Sequence, residues 1–242
     1  MAIFDDLEAE QDRLEDILGG LDDEQWTAAS GADGWTVCDV VLHLAQSEEA
    51  VLASTAGTSW ETRLAPGITL DQVMDQLVQA ERADPILVFQ RWCEARRGAV
   101  RALRAADPAQ PLSWVAARLT PATLATPRLA EHWAHGLDIT GPLGIAFPDT
   151  QRLHHVAWLA HRSLTYAFAL AGDQPHEVRC ELTAPDGDVW EYGPGDADSV
   201  ITGTAGAFCR VAAQRLAPGQ SELRATGPYG PAALGVLRTY AA

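Results

Sequence analysis

The spacing of apolar residues predicts helices over the first 172 residues. Between Ile3 and Leu21, apolar side chains recur at helical intervals with acids on the opposite face, as in an amphipathic helix. A second helix is predicted to begin at Thr36, because Thr36 and Asp39 have the spacing of a capping box. Residues suited to N-caps predict further helices, which begin at Thr69, Asp84, Thr120 and Thr150.

The pattern changes after Gly172, where alternation replaces the helical period. Residues 177–183 alternate between apolar and polar side chains, which is typical of a half-buried strand. A turn sequence follows at 185–188, and residues 189–192 fit the return strand of a hairpin. A third short strand and two more helices are predicted at 199–202, 206–216 and 231–241.

These two patterns divide the chain into two predicted domains. Residues 1–172 are expected to form an all-α bundle, and residues 173–242 a small α+β domain. The predicted fold class is therefore α+β, mainly α. At 242 residues, the chain is long enough for each domain to have its own core.

The charge of the chain excludes several classes of function. The formal net charge is −16, and all 17 basic residues are arginines. Affinity for nucleic acids depends on Lys and Arg side chains that neutralise phosphates, so we expect no nucleic-acid partner. The absence of lysine also excludes a Schiff-base lysine and a P-loop lysine.

The N-terminal sequence and the cysteines favour a cytoplasmic protein. The first residues are acidic, no signal-peptide-like apolar segment follows them, and no run approaches ~18 apolar residues. We therefore expect no membrane partner. The four cysteines are too far apart for a CxxC motif, and we interpret each as a small buried apolar residue. They are Cys38, Cys93, Cys180 and Cys209.

Three residues on two predicted helices have the side chains of a metal site. Glu131 and His135 lie four residues apart on one helix, so both project from the same face. His43 lies on another helix, and bundles build metal sites from facing helices. Three protein ligands leave a coordination position open, as catalytic sites do. His43, Glu131 and His135 are therefore a candidate three-ligand site for one divalent metal ion.

The same residues also have simpler interpretations. His43 lies between two leucines and fits a hydrogen-bonded core histidine, while Glu–His pairs four residues apart are common on exposed helix faces. His132 and His135 are three residues apart and could share a metal instead. Glu131 and His132 lie about 100° apart around a helix, so only one of them can face the same point. The spacing alone leaves this choice open.

Two segments resemble a known family. The segment from Gly34 to Ala45 reads GWTVCDVVLHLA and resembles the second-helix motif of the DinB-like metalloprotein superfamily, especially its branch of mycothiol-dependent maleylpyruvate isomerase-like proteins. The segment from Thr126 to Ile139 is similar to the second motif of that branch. The resemblance implies that residues 1–172 form a DinB-like four-helix bundle that binds one divalent metal ion, and it assigns the family's metal ligands to His43, Glu131 and His135.

The C-terminal part resembles the same family, so the resemblance covers nearly the whole chain. Leu182 to Pro194 and Ala205 to Arg215 are similar to its small second domain. In the family, the metal, typically zinc, is thought to activate the thiol of a small cofactor, since a coordinated thiol is deprotonated. The resemblance therefore implies a thiol-dependent metalloenzyme, an isomerase or transferase. It would use mycothiol or another small thiol for isomerisation or S-transfer on a small electrophilic substrate.

Other functions fit the same scaffold, because function belongs to the site rather than to the fold. With water in place of a thiol, the metal would support a hydrolase or another tailoring enzyme. A closed coordination sphere would instead indicate a non-catalytic, metal-stabilised module that binds a small molecule or a protein. The sequence leaves monomer and homodimer equally open.

The supporting residues of the site also have alternatives. Asp39, one turn before His43, fits either an acceptor for the free ring N–H of that histidine or a helix-start acid. Asp138, three residues after His135, has the same two interpretations. The isomerases use an arginine of the second domain near the substrate carboxylates, and three residues are candidates for it. They are Arg210, Arg224 and Arg238.

Overall fold

The computed structural model describes residues 3–58, 69–115 and 117–239 of the chain. The chain divides into two compact units, the first ending at Phe147 and the second beginning at Pro148. Helices form most of the regular structure, and the strands are short, which confirms the predicted α+β, mainly α class. Within the described ranges, no helix is long and apolar enough to cross a bilayer.

The first unit is built on a bundle of four long helices. In chain order its elements are α1 (Ile3–Leu18), α2 (Asp23–Thr27), α3 (Val37–Thr55), α4 (Leu70–Ala80), α5 (Pro85–Ala105), β1 (Leu112–Trp114), β2 (Ala117–Leu119) and α6 (Pro121–Leu143). Helices α1, α3, α5 and α6 pack against one another and form the bundle. The short helix α2 packs on α3, and so does α4.

Side-chain caps explain where these helices begin. Thr36 accepts a hydrogen bond from the backbone N–H of Asp39, and Asp39 accepts one from the backbone N–H of Thr36, so the predicted capping box is present. Thr69 and Thr120 cap α4 and α6 with their hydroxyl groups, and the Asp84 carboxylate caps α5. The predicted helix starts at these positions are confirmed.

The apolar faces of the bundle helices meet in one core. Burial of a large apolar side chain stabilises the fold by about 1.5–3 kcal/mol, so these residues account for much of the stability. The core fixes the separation of the helices on which the predicted ligands lie. Its members include Leu14, Leu18, Val40, Val41, Leu44, Val88, Trp92 and Ile139.

The acids of α1 face arginines of α5. The Arg96 side chain is almost fully buried, donates to Asp12 at 2.9 Å and also forms an ion pair with Glu15. At the other end of the same interface, Arg104 forms ion pairs with Asp5 and Glu8. The acidic face of α1 is therefore partly a helix–helix contact.

A short hairpin lies between α5 and α6, in a segment for which the sequence pattern predicted no strand. Strands β1 and β2 pair antiparallel, with Leu112 opposite Leu119. Each strand has only three residues, and Pro111 precedes the first one. Segments this short carry too little alternation to be recognised from sequence. Helix α2 was missed for the same reason, since it has five residues.

The second unit combines α-helices and a short 3-10 helix (Pro218–Gln220) with a mixed sheet. Its elements are α7 (Leu153–Leu170), β3 (Arg179–Thr183), β4 (Val189–Tyr192), β5 (Val200–Thr204), α8 (Ala205–Ala212), β6 (Arg224–Thr226) and α9 (Gly230–Val236). The strand order is β4-β3-β5-β6; β3 pairs antiparallel with β4 and parallel with β5, and β6 pairs antiparallel with β5. The predicted hairpin and third strand are confirmed, whereas β6 was not predicted.

Helix α7 belongs to the second unit, although the sequence pattern assigned it to the bundle. The His161 ring donates to the carbonyl of Val178, which immediately precedes β3. Tyr192 on β4 donates to the carbonyl of His154. The division between the units therefore falls before α7, between residues 147 and 148, rather than near residue 173. The sequence signal marked the change from helix to strand, but α7 packs with the strands that follow it.

Candidate metal centre

The bundle brings the three predicted metal ligands together. His43 lies on α3, and Glu131 and His135 lie one turn apart on α6, which packs against α3. The Glu131 Oε2 atom lies 3.6 Å from His43 Nε2 and 3.3 Å from His135 Nε2. One ligand atom from each residue lies within 4.8 Å of the other two. Two imidazole nitrogens and a carboxylate oxygen therefore converge on one point.

The electrostatics of the cluster suit a cation. Burial raises the pKa of Glu131, but hydrogen bonds with His135 and His43 outweigh it and hold that pKa well below its ordinary value. Burial lowers the pKa of His43, which favours the neutral imidazole that a metal requires. Burial also lowers the pKa of His135, yet hydrogen bonds to Asp138 and Glu131 raise it overall. Asp138 and Glu131 therefore favour positive charge on the His135 ring.

Asp138 orients His135. Its Oδ2 atom accepts the His135 Nδ1–H at 2.9 Å, and only 3% of its surface is exposed. A proton fixed on Nδ1 leaves the Nε2 lone pair directed at Glu131, where a metal ligand needs it. Of the two interpretations of Asp138, the geometry therefore supports the partner of a ligand. Together with His43 and Glu131, this oriented histidine gives a donor set that could hold a divalent ion.

The loop before α3 packs closely against Asp138. The backbone N–H of Gly31 donates to the carbonyl of Asp138 at 2.7 Å. A Cβ atom at Gly31 would lie 3.0 Å from Asp138 Cα, closer than ordinary contacts allow. Glycine at this position therefore lets the loop before α3 reach the helix that carries the site.

Asp39 does not support His43. Its carboxylate accepts from the Thr36 backbone and hydroxyl, and it forms two hydrogen bonds with Arg82 at 2.8 and 2.9 Å. Asp39 is therefore the helix-start acid, and the alternative of a partner for His43 is wrong. Within the described part of the chain, the buried Nδ1 atom of His43 has no hydrogen-bond partner. The Trp35 ring, just before α3, contacts the His43 ring, and the two ring centroids are 5.2 Å apart.

His132 faces away from the cluster and is a core histidine. Its ring is fully buried, its Nδ1–H donates to the Arg128 carbonyl at 2.8 Å, and its Nε2 accepts from Trp92 Nε1 at 3.3 Å. Burial lowers the pKa of His132 to about 3, so the ring is neutral. Both ring nitrogens are thus engaged within the core. The alternative in which His132 and His135 share a metal has no support.

Sequence reasoning missed a buried ion pair beside the ligands. Arg128 on α6 donates from Nε to Glu48 Oε1 on α3 at 2.9 Å, and both side chains are almost completely buried. A signal for Glu48 exists in the sequence, because it lies four residues after Leu44 and three before Val51, both fully buried. That spacing puts Glu48 on the apolar face of α3.

The arginine candidates of the second unit have different surroundings. Arg210 forms two hydrogen bonds with Asp149, each 2.8 Å long, and Arg224 is exposed on β6. Arg238 is half-buried, and its Nε atom has no partner in the described ranges. That one of them reaches a substrate stays a prediction. Of the four free cysteines, three are buried as expected and Cys38 is half-exposed.

A cavity of about 360 Å³ lies elsewhere in the first unit. Its lining includes Ser54, Ser113 and Arg118, and Ser54 is about three turns along α3 from His43. None of the ligand residues lines this cavity. This cavity is therefore not a binding space for a thiol beside the candidate ligands. That such a space exists stays a prediction.

Comparison with known proteins identifies the family. The model of the mycothiol maleylpyruvate isomerase N-terminal domain matches residues 7–140, a stretch that contains all three candidate ligands. The chain belongs to this family. It is also 30% identical to an uncharacterised protein of Mycobacterium tuberculosis, with the same values in strains CDC 1551 / Oshkosh and ATCC 25618 / H37Rv. That alignment covers 98% of this chain and 94% of the relative. The family resemblance seen in the two motifs is confirmed.

Solved structures show the same fold. The crystal structures of the mycothiol-dependent maleylpyruvate isomerase and of a mutant of it each align with a TM-score of 0.64. The alignments cover 93% of this chain and 91% of the isomerase chain, at 14% sequence identity. At this identity, the likeness establishes the architecture and leaves the chemistry to be argued from the site.

Proposed function

We propose that the chain is a metal-dependent enzyme that uses a small thiol on an electrophilic substrate. In this proposal His43, Glu131 and His135 hold one divalent ion, zinc, and the thiol is mycothiol or a similar molecule. The observation that carries the proposal is the convergence of their ligand atoms within 4.8 Å, backed by the Asp138–His135 hydrogen bond. A small-molecule substrate and a cytoplasmic location belong to the same proposal.

The protein residues would hold and orient the reacting groups. His43 and His135 would each offer a ring nitrogen, Glu131 offers negative charge, and Asp138 retains the Nδ1 proton of His135. A divalent ion bound there would lower the pKa of a coordinated thiol, so that thiolate is available at neutral pH. Three protein ligands leave room for such a thiol.

The reaction class follows from thiolate chemistry and from the relatives. A thiolate that adds reversibly to a conjugated double bond allows isomerisation, and one that stays on the product gives S-transfer. The two solved structures that share the fold are of a mycothiol-dependent maleylpyruvate isomerase, which favours isomerisation. At 14% identity, the substrate of this chain is a separate question.

The first experiment measures bound metal by mass spectrometry in untagged protein. Wild type is expected to hold close to one divalent ion per chain, and His43→Ala, Glu131→Ala and His135→Ala to lose it. His132→Gln is the matched control, because His132 lies on the same helix but faces the core. Wild-type protein that is metal-free and cannot be loaded would refute the proposal.

A second experiment tests the thiol. Metal-loaded protein is incubated with mycothiol and either maleylpyruvate or a chromogenic electrophile, and product formation is compared with the Glu131→Ala variant. Turnover that needs both metal and thiol supports the proposal. Thiol-independent hydrolysis would favour the hydrolase, and tight metal without any turnover would favour the binding module.

A further inference from the structure

The buried ion pair between Glu48 and Arg128 lies next to the candidate metal centre. Glu48 follows His43 by little more than one turn on α3, and Arg128 precedes Glu131 by just under one turn on α6. The hydrogen bond between them therefore crosses the same α3–α6 interface as the ligand cluster. The guanidinium is close enough to Glu131 to help keep that carboxylate ionised.

The pair is enclosed on several sides. Glu48 is completely buried, and Arg128 is 2% exposed. The Arg128 guanidinium lies 5.6 Å from the centre of the Trp114 ring, and Glu48 Oε1 lies 3.7 Å from His132 Nδ1. Burial raises the pKa of Glu48, and the attraction of Arg128 offsets this rise only in part. Arg128 is therefore the main partner of the Glu48 carboxylate.

Stability alone is a poor explanation for this pair. Removing two charges from water costs free energy that their attraction recovers only when the remaining hydrogen bonds are satisfied. Here Glu48 Oε2 and Arg128 Nη2 are buried without a hydrogen-bond partner among the described residues. Well-packed apolar residues at these positions would be at least as stable. The presence of two charged side chains here therefore calls for an explanation other than stability.

The balance of charge near the ligands supplies that reason. An isolated Arg128 would place a positive charge about one turn from a site that must accept a divalent cation, and the repulsion would be strong in a buried setting. The carboxylate of Glu48 offsets it while fixing the guanidinium through Nε. The negative charge of Glu131 then remains available to the metal ion.

We propose that Glu48 is a positioning residue of the metal centre, which holds Arg128 and cancels its charge so that the neighbouring ligands bind a divalent ion tightly. The inference rests on the proposed function, because it presumes metal at His43, Glu131 and His135. Glu48 acts through Arg128 and does not itself coordinate the ion.

The test compares the zinc affinity of the wild type, a single variant and a double variant in which the two charges are removed in turn. Glu48→Gln keeps the shape and an oxygen acceptor for Arg128 but removes the offsetting charge, so zinc affinity should fall by about 10- to 100-fold. Adding Arg128→Gln removes the opposing charge as well, so the double variant should recover at least about tenfold of that loss. Affinity is measured by competition with a chromogenic chelator, and the visible spectrum of bound Co²⁺ reports the ligand geometry.

A control and an unfolding curve separate charge from stability. Glu15→Gln neutralises one of the two acidic partners of another buried arginine, Arg96, at the α1–α5 interface, and should leave zinc affinity unchanged. Urea unfolding of the metal-free proteins measures the structural cost of each change. A purely structural role predicts that the double variant binds zinc no better than Glu48→Gln.

The outcomes distinguish the two proposals. If wild type binds zinc and Glu48→Gln binds it equally well, or if the double variant fails to recover affinity, the charge-balance inference is overturned while the proposed function stands. If wild type binds no divalent ion, the proposed function fails and this inference fails with it. Loss on Glu48→Gln with recovery in the double variant supports both.

Discussion

Replacing Asp138 with asparagine tests how the chain orients a metal ligand. Asp138 is 3% exposed, and its carboxylate accepts the Nδ1–H of His135 at 2.9 Å. A hydrogen bond to a charged acceptor contributes about 1.5–3 kcal/mol and a neutral one about 0.5–1.5 kcal/mol. The difference of roughly 1–1.5 kcal/mol corresponds to about a tenfold loss of metal affinity.

The loss becomes larger if the asparagine turns its amide N–H₂ towards the ring. His135 Nδ1 would then have to accept a hydrogen bond, so the ring proton would move to Nε2, the atom that faces Glu131. The lone pair required by the metal would be blocked. We therefore expect Asp138→Asn to weaken zinc binding by about 10- to 100-fold, the usual range for such partners of ligating histidines.

Competition with a chromogenic chelator measures this loss directly. Asp149→Asn is a suitable control, because Asp149 is also a carboxylate in a defined pair, with Arg210, but belongs to the second unit. Urea unfolding in excess chelator shows whether Asp138→Asn also destabilises the apo fold. A zinc affinity within about twofold of wild type would refute the orienting role of Asp138.

Three further substitutions test the packing around the site. Gly31→Ala puts a Cβ atom 3.0 Å from Asp138 Cα, so we expect a lower melting temperature and several-fold weaker zinc binding; unchanged values would contradict the close approach. Leu44→Ala should cost about 2–5 kcal/mol of unfolding free energy, measured in urea, with the metal stoichiometry retained. Folding lowers the pKa of His132 from 6.5 to about 3, so the unfolding free energy should decrease as pH falls below 6.5 and level off near 3. That decrease is at most roughly 5 kcal/mol, and His132→Gln should flatten it in chelator-treated protein; an unchanged slope would count against a neutral core histidine.

Local rules account for part of the candidate ligand set, and the family resemblance supplied the rest. The capping box at Thr36 fixes where α3 begins and therefore the rotation of His43 around that helix. The four-residue spacing of Glu131 and His135 puts both on one face of α6 without reference to any other part of the chain. Helix starts and same-helix neighbours need no tertiary information.

The choice between Glu131 and His132 could not be made in that way. Both residues lie on α6, and which of them faces α3 depends on what fills the space on the other side of the helix. That space holds Trp92 from α5, whose indole N–H satisfies the His132 ring. The contact joins residues 40 positions apart, so no local pattern contains it. The unit to which α7 belongs could not be predicted from local patterns for the same reason, since α7 packs with residues that come later in the chain.

The two helices contribute unequally to the site. Within two turns, α6 supplies Glu131, His135 and the Asp138 carboxylate that orients the second of these, so two of the three candidate ligands are arranged by one element. Helix α3 supplies only His43, whose Nδ1 atom has no partner in the described part of the chain. The position of His43 therefore depends on how α3 packs against α6. The buried Glu48–Arg128 pair bridges these same helices, so it lies where a change in their contact would alter the ligand geometry most directly.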